Sequence, residues 1–210
     1  YGAFIPNPMH VYRTAGVLAG LGLSYGGATT EEDVVGLIFA DQGIDLSKIS
    51  GDIKIVSYLQ GYGDTTTDEI NAAIQAAPEA FISVGMATTF FTQQLNAAGI
   101  EFSDIDSFTK SNGEAITNGK LVYLAGKYSS SVGPAFALVM NAINGNVIRD
   151  AQGNAVSLSQ NYQVATDSET FDKFYKNDNG DNPIYSRDTL DQIIGDTVTF
   201  DTINEVVASN

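Results

Sequence analysis

The sequence has 210 residues, of which 43% are hydrophobic and 17% are charged, with 25 acidic side chains against 10 basic ones. A chain of this length buries roughly 70% of the surface that it exposes when unfolded, so it can build a substantial core and is not a disordered chain. The net charge of −15 leaves no basic footprint for nucleic acid or for an anionic membrane. No apolar run approaches the roughly 18 residues of a spanning helix, so we expect no direct membrane insertion. The absence of cysteine excludes disulfides, thiolate metal sites and a cysteine nucleophile.

The first part of the chain predicts alternating helices and strands. A helix is expected from His10 to Tyr25, and a second helix follows a threonine cap at Thr30 and extends to about Ala40. Residues 52–58 have a mixed alternation that predicts a strand. The segment 64–68 then predicts the cap of a helix over 69–77, with its apolar residues on one face.

The alternation continues to residue 165. Ala80–Val84 is a nearly continuous apolar strand, the type found in a parallel sheet that is covered on both faces. The further elements expected are a helix at 88–98 ended by Gly99, strands at 102–108 and 120–125, a helix at 130–144, a turn at 150–154 and a strand at 160–165. This order is typical of βαβ units and predicts an α/β fold with a doubly wound, mostly parallel sheet. We expect one α/β lobe over residues 1–170 and an acidic extension over 171–210.

The sequence contains no convincing catalytic or metal motif. The lone histidine, His10, is expected to be a capping or surface residue, because catalytic and zinc-binding histidines need partners. Ser107-Phe-Thr-Lys110 has the serine–lysine spacing of penicillin-interacting enzymes, but the spacing is common and the companion motif is missing. Asp178-Asn-Gly-Asp181 covers only part of a calcium loop, so we expect a solvated loop there. We therefore predict no enzymatic activity, no metal and no cofactor.

Polar, small and aromatic residues follow the predicted strands. In an open α/β sheet, ligands bind outside the carboxyl ends of the strands, where these residues would lie. Such loops can supply hydrogen-bond donors, acceptors and rings for a small solute, but no acid–base pair at a recognisable spacing. The candidate ligand-binding residues from these loops are Tyr62, Asp64, Gly85, Met86, Thr88, Lys127 and Tyr128.

Several short motifs occur in a characteristic order. They are Pro78-Glu-Ala-Phe-Ile-Ser-Val84, Leu95-Asn-Ala-Ala-Gly-Ile100, Asp104-Ile-Asp-Ser-Phe108, Asn118-Gly-Lys120, Tyr128-Ser-Ser-Ser-Val-Gly133, Ile143-Asn-Gly145 and Gln163-Val-Ala-Thr166. In this order they resemble the distal half of a type I periplasmic binding protein, the ribose- and galactose-binding family shared with lactose-repressor-type ligand domains. The resemblance covers a little over half of the chain.

The resemblance implies two lobes that close on a small solute and deliver it to a membrane permease. Lys127 falls where ribose-type members carry a hinge glutamine, Thr109 where they carry a sugar-binding aspartate, and Gly85 where they carry a binding asparagine. These three differences argue against a simple ribose-like site, and Thr109 joins the candidate residues. A hinge crossover is implied near residues 126–130. Because two full lobes need a longer chain, the resemblance also implies that part of one lobe is missing.

These expectations combine into a function. The chain is expected to be the solute-binding component of an ABC-type importer, exported to the extracellular or periplasmic space, with or without a lipid anchor in a segment outside this sequence. A permease would be its partner, and a sugar or related polar molecule its solute. Two alternatives stay open: a ligand-sensing domain of a signalling system, and an α/β enzyme that uses carboxylates such as Asp64 and Asp106.

Overall fold

A computed structural model describes residues 1–2, 7–61, 65 and 67–210 of the chain. Within these residues the helices and strands alternate, as the sequence predicts. The α-helices are α1 Pro8–Gly20, α2 Glu31–Asp41, α3 Thr67–Gln75, α4 Ala87–Phe90, α5 Thr92–Ala98, α6 Lys110–Thr117, α7 Gly133–Ile143, α8 Ser168–Asp172, α9 Arg187–Asp191 and α10 Phe200–Ala208. The β-strands are β1 Ser24–Tyr25, β2 Ile49–Ser50, β3 Phe81–Ser83, β4 Phe102–Ser107, β5 Leu121–Lys127 and β6 Gln163–Ala165.

The main sheet has four strands in the order β3-β4-β5-β6. β3 and β4 are parallel, with Phe81 opposite Phe102 and Ser83 opposite Asp104. β1 and β2 form a separate antiparallel pair. The protein is therefore an α/β protein with a mostly parallel sheet flanked by helices, which confirms the predicted fold class at this level.

Tyr1 and Gly2 lie beside β3 as a further extended segment. Val84 donates its backbone N–H to the carbonyl oxygen of Tyr1 at 3.0 Å, and Gly2 donates to Leu59 at 3.2 Å. Gly2 also forms a parallel bridge with Gln60. The two residues therefore run between the end of segment 52–60 and β3.

The chain divides into two compact units. The first unit contains Tyr1–Asp106 and Lys110–Leu124, and the second contains Ser107–Thr109 and Ala125–Asn210. The first has a core where α1 and α2 meet, built from Val11, Ala15, Leu18, Leu23, Tyr25, Val34, Val35 and Ile38. The second has a core formed by Ala137, Ile193, Ile203 and Val207. Each unit thus buries its own apolar cluster, the dominant favourable contribution to folding.

The sequence correctly predicts several residues that begin or end helices and one that forms a turn. The Thr30 hydroxyl accepts the N–H of Asp33 and caps α2, and Gly99 ends α5 in the left-handed region with φ 71°. The expected turn at 150–154 forms around Asp150, whose Oδ1 accepts the N–H groups of Gln152 and Asn154. Such signals depend on neighbours within about four residues, so they can be read from the sequence.

Three predicted elements differ from the structure. The first helix ends at Gly20 rather than Tyr25, because Gly22 turns the chain at φ 69° and Ser24–Tyr25 pairs with β2. The helix predicted at 88–98 is divided into α4 and α5 at the buried Phe91. Residues 52–58 do not form a β-strand, since no strand among the described residues pairs along them.

Candidate functional site

Arg13 joins the carboxyl ends of β3 and β4 in the first unit. Its Nη1 donates hydrogen bonds of 2.9 Å to the carbonyl oxygens of Val84 and Ile105. The side chain is half-buried, and it reaches these strands from the first turns of α1. A guanidinium held by two carbonyl groups is a fixed, planar donor at the edge where α/β sheets bind ligands.

His10 lies next to the loop that follows β3. A Cβ atom added to Gly85 would stand 2.9 Å from Cε1 of His10, so the two residues are in close contact. His10 is only 2% exposed, and the prediction of a surface histidine is therefore wrong. Burial and the Arg13 charge lower the pKa of His10, while Asp106 acts in the opposite direction. The imidazole is consequently neutral at neutral pH.

Asp104 is a fully buried carboxyl group in β4. Its Oδ2 accepts the backbone N–H of Ala87 at 2.7 Å, and its Oδ1 has no hydrogen-bond partner within the part of the chain that the structure describes. Burial raises the pKa of Asp104 to about 7, against the lowering effect of the Ser83 hydroxyl, and the charge of Asp106 raises it further. The group therefore titrates close to neutral pH.

The loop from Gly85 to Thr88 carries three of the predicted ligand residues. Gly85 is buried, and its N–H donates to the Ser83 hydroxyl at 3.0 Å. Met86 is half-buried and holds the left-handed conformation, φ 64°, at the start of α4. Thr88 is half-buried, and its carbonyl accepts the Thr92 hydroxyl at 2.6 Å. Gly85 therefore lies against His10, and the carbonyl of the preceding Val84 accepts from Arg13.

Three further candidates lie together in the second unit. The N–H of Phe108 donates to the carbonyl of Lys127 at 3.1 Å, which places Thr109, the next residue, near Lys127 in space. Thr109 is half-buried and Lys127 is exposed. Tyr128 is buried, and its ring stacks on Tyr185 with centroids 6.2 Å apart and planes 14° apart. Burial, with the Tyr185 hydroxyl, raises the pKa of Tyr128.

Tyr62 and Asp64 lie outside the described residues, and their roles stay predictions. The geometry of a carboxylate pair between Asp64 and Asp106 is likewise untested.

Sequence reasoning missed Arg13 and Asp104 as members of the site. A signal for Arg13 existed: it is three residues after His10, so the two lie on one face of a helix. Asp104 had a weaker signal, because a carboxyl group in the middle of an otherwise buried strand position is unusual.

Asp178 was expected in a solvated loop and is instead buried, with 4% of its surface exposed. It accepts the N–H of Ser130 at 2.7 Å, the hydroxyl of Ser130 at 2.5 Å and the N–H of Ile184 at 2.9 Å. Asp178 therefore links its own loop to the segment around Ser130 by hydrogen bonds within the second unit.

A search of the described ranges finds no group of three histidine, aspartate or glutamate side chains placed to hold a metal ion. Among the same residues, no helix has both the length and the apolar character to cross a membrane.

No family model, curated protein or solved structure matches the chain. The function is therefore inferred from the residues of the chain itself.

Proposed function

We propose that the chain is the solute-binding component of an ABC-type importer and binds a small polar solute without chemical conversion. The single observation that carries the proposal is the position of Arg13, whose guanidinium bridges the ends of two parallel strands beside the Gly85–Thr88 loop. The motif order described above supports assignment to the type I periplasmic-binding-protein class, with part of one lobe missing.

The solute is proposed to be polar because the groups around Arg13 are polar and of both charges. Asp106 is half-buried at the same strand end and influences the pKa of His10. Asp106 offers carboxylate oxygens that accept hydrogen bonds, which suits the hydroxyl groups of a sugar.

The second unit contains a separate candidate for binding the solute, the ammonium group of Lys127. Lys127 is exposed at the end of β5, next to Thr109. An ammonium group at this position favours a solute with a hydroxyl, carbonyl or anionic group. Tyr128 contributes less than expected from its sequence position, because one face of its ring is already covered by Tyr185.

The proposal includes a membrane permease as partner and a location outside the cytoplasm. Both depend on the resemblance to importer components, and a lipid anchor in a segment outside this sequence is compatible with it.

A thermal-shift screen tests the proposal. The 210-residue chain is mixed with sugars, nucleosides and amino acids, and a bound solute raises the unfolding temperature because it stabilises only the folded state. A solute found in this way is then titrated by calorimetry against Lys127→Ala and Arg13→Gln. We expect Arg13→Gln to bind at least tenfold more weakly, while Lys54→Ala, which removes an exposed lysine, binds as the parent does. The Lys127→Ala variant tests separately whether the second unit contacts the solute.

The absence of any shift across the panel would reject solute binding. Unchanged affinity in Lys127→Ala would remove that residue from the site, and unchanged affinity in Arg13→Gln would remove the observation on which the proposal depends.

A further inference from the structure

The first unit contains a cavity of about 580 Å³ that is lined by two chain segments and by α1. One wall is formed by residues 52–59 and the other by residues 77–82. Aliphatic side chains of α1 complete the lining, namely Val17, Leu18 and Leu21. The cavity is therefore mostly apolar and is bordered by two chain segments.

Tyr1 lines this cavity together with Leu59 and Val84, and Gly2 follows it. On one side, the amino group of Tyr1 donates a hydrogen bond to the carbonyl oxygen of Ile82 at 2.8 Å. The carbonyl oxygen of Tyr1 accepts the N–H of Val84 at 3.0 Å. On the other side Gly2 donates to Leu59. In a parallel ladder, one residue forms hydrogen bonds with two residues of the neighbouring strand that are two positions apart, as Tyr1 does with Ile82 and Val84. Tyr1–Gly2 is thus a short parallel strand between both walls.

The direction of that strand points back into the cavity. Because the pairing is parallel, the line that leads to Tyr1 passes between residues 52–58 and residues 77–81. Neighbouring strands lie about 4.8 Å apart, so two walls separated by one strand leave a gap of about 9.6 Å between their axes. Tyr1–Gly2 occupies such a gap beside Leu59 and Ile82, where the two walls begin.

The walls also present backbone groups that need hydrogen-bond partners. Phe81 donates its N–H to Glu101 on the side of β4. Since N–H groups alternate along a strand, the N–H of Ile82 points to the opposite side, toward the cavity. Residues 52–58 form no ladder within the described part of the chain, and Ile53 and Val56 are 46% and 37% exposed. An apolar extended segment whose backbone has no neighbour is a template for strand pairing.

We propose that this cavity is a slot for one extended peptide strand, parallel to β3 and continuous with Tyr1. The strand would complete the sheet between residues 52–58 and β3, in the mode in which peptides add to an open sheet edge. Its side chains must be small or apolar, because the lining of the slot is aliphatic. Proline is excluded wherever the strand must donate an N–H to a wall. A covalent connection to Tyr1 is favoured over a separate peptide because it supplies a high effective concentration in the correct register.

The proposal is tested by extending the chain at its first residue. One variant carries Thr-Val-Thr-Val-Thr before Tyr1, and its matched control carries Thr-Pro-Thr-Pro-Thr, with the same length and no added charge. We expect the first extension to raise the unfolding temperature by about 5 °C relative to the control. We also expect amide exchange at Ile82 and at residues 53–57 to slow at least tenfold in the first variant only, as new ladder bonds protect these groups.

Three results would overturn the proposal. Equal unfolding temperatures and equal exchange in the two extended variants would show that no strand enters the slot. Protection elsewhere, with Ile82 unchanged, would place the extension at another edge. A free Thr-Val-Thr-Val-Thr peptide that reproduces the full effect at micromolar concentration would reject continuity with Tyr1. None of these measurements depends on a solute, so they are independent of the proposed transport function.

Discussion

The Oδ2 atom of Asp104 lies 2.7 Å from the backbone nitrogen of Ala87 and accepts its hydrogen bond. The bond ties the middle of β4 to the first residue of α4, across 17 positions of sequence. It places a buried carboxyl group against the end of the loop that follows β3. The conformation of the proposed binding loop therefore depends on a buried acid that the solute itself need not touch.

Asp104 makes the stability of the protein depend on pH. Its folded-state pKa of about 7 lies above the ordinary value of 3.8, because burial disfavours the charged form. The folded state thus holds the proton more tightly, and the stabilisation is complete below about pH 4 and is lost as the pH rises through 7. Asp104→Asn keeps an oxygen for the Ala87 N–H and removes the titration. We expect it to be more stable than the parent at pH 8, by up to about 4 kcal/mol, and to lose this advantage near pH 4.

Urea unfolding at pH 4, 6 and 8 measures this effect. Glu101→Gln serves as the control, since Glu101 is an exposed acid just before β4. A gain from Asp104→Asn that is the same at all three pH values would contradict the assignment of the titration to Asp104.

Position 85 requires glycine because the His10 side chain leaves no room for a Cβ atom there. A methyl group at position 85 would meet Cε1 and Nε2 of His10 at 2.9 and 3.0 Å, closer than side-chain carbons approach one another. We expect Gly85→Ala to lower the free energy of unfolding by about 1–3 kcal/mol, because the buried imidazole must shift. Chemical denaturation measures this change.

Gly16→Ala is the matched control for that substitution. Gly16 is in α1, and a Cβ there has no neighbour within 4 Å. The change should therefore stabilise the protein by about 0.5–1 kcal/mol, through the helix propensity of alanine. If both substitutions were stabilising, the contact between Gly85 and His10 would not constrain position 85.

The hydroxyl of Tyr25 links three segments of the first unit. It donates to Asp41 at 2.7 Å and accepts the N–H of Asp45 at 3.0 Å, and burial raises the pKa of Tyr25 to about 12. Tyr25→Phe leaves both partners without this hydroxyl. We expect a loss of about 1–3 kcal/mol in thermal or urea unfolding.

Tyr12→Phe provides the comparison, because Tyr12 is 51% exposed on α1. Its free energy of unfolding should stay within about 0.5 kcal/mol of the parent value. Similar losses for the two tyrosines would mean that the Tyr25 hydrogen bonds contribute nothing specific.

Asp178 and Ser130 are expected to act as one structural connection in the second unit. Removing the Asp178 carboxylate leaves the Ser130 and Ile184 N–H groups without their acceptor. Asp178→Ala should cost about 1.5–3 kcal/mol, whereas Asp181→Ala, which removes an exposed acid from the same loop, should cost less than about 0.5 kcal/mol.

A double-mutant cycle with Ser130→Ala separates the two residues. Because the Ser130 hydroxyl bonds directly to Asp178, the double variant should lose less stability than the sum of the single variants. Strict additivity would argue against a direct interaction between these side chains.

The sequence alone determined the α/β class, the parallel strand Phe81–Ser83, the caps at Thr30 and Gly99 and the turn at Asp150. Each of these depends on side-chain periodicity or on hydrogen bonds that span at most about four residues, so the information is local. It also directed attention to the Gly85–Thr88 loop, because strand ends of a parallel sheet are recognisable from the alternation of elements.

Only the tertiary structure decided which polar groups are buried and which extended segments are paired. His10 and Asp178 are polar, and polar residues are usually exposed, so the sequence alone does not predict that they are buried. Asp178 is bound by Ser130, which lies 48 positions away. Arg13, close to His10 on the same helix, is bound by Val84 and Ile105, which lie still further away in sequence. Residues 52–58 read as a strand by their side chains, yet a strand exists only where another segment offers backbone partners at about 4.8 Å. Whether such a partner segment is present depends on residues far away in sequence, so it cannot be predicted from the pattern within residues 52–58.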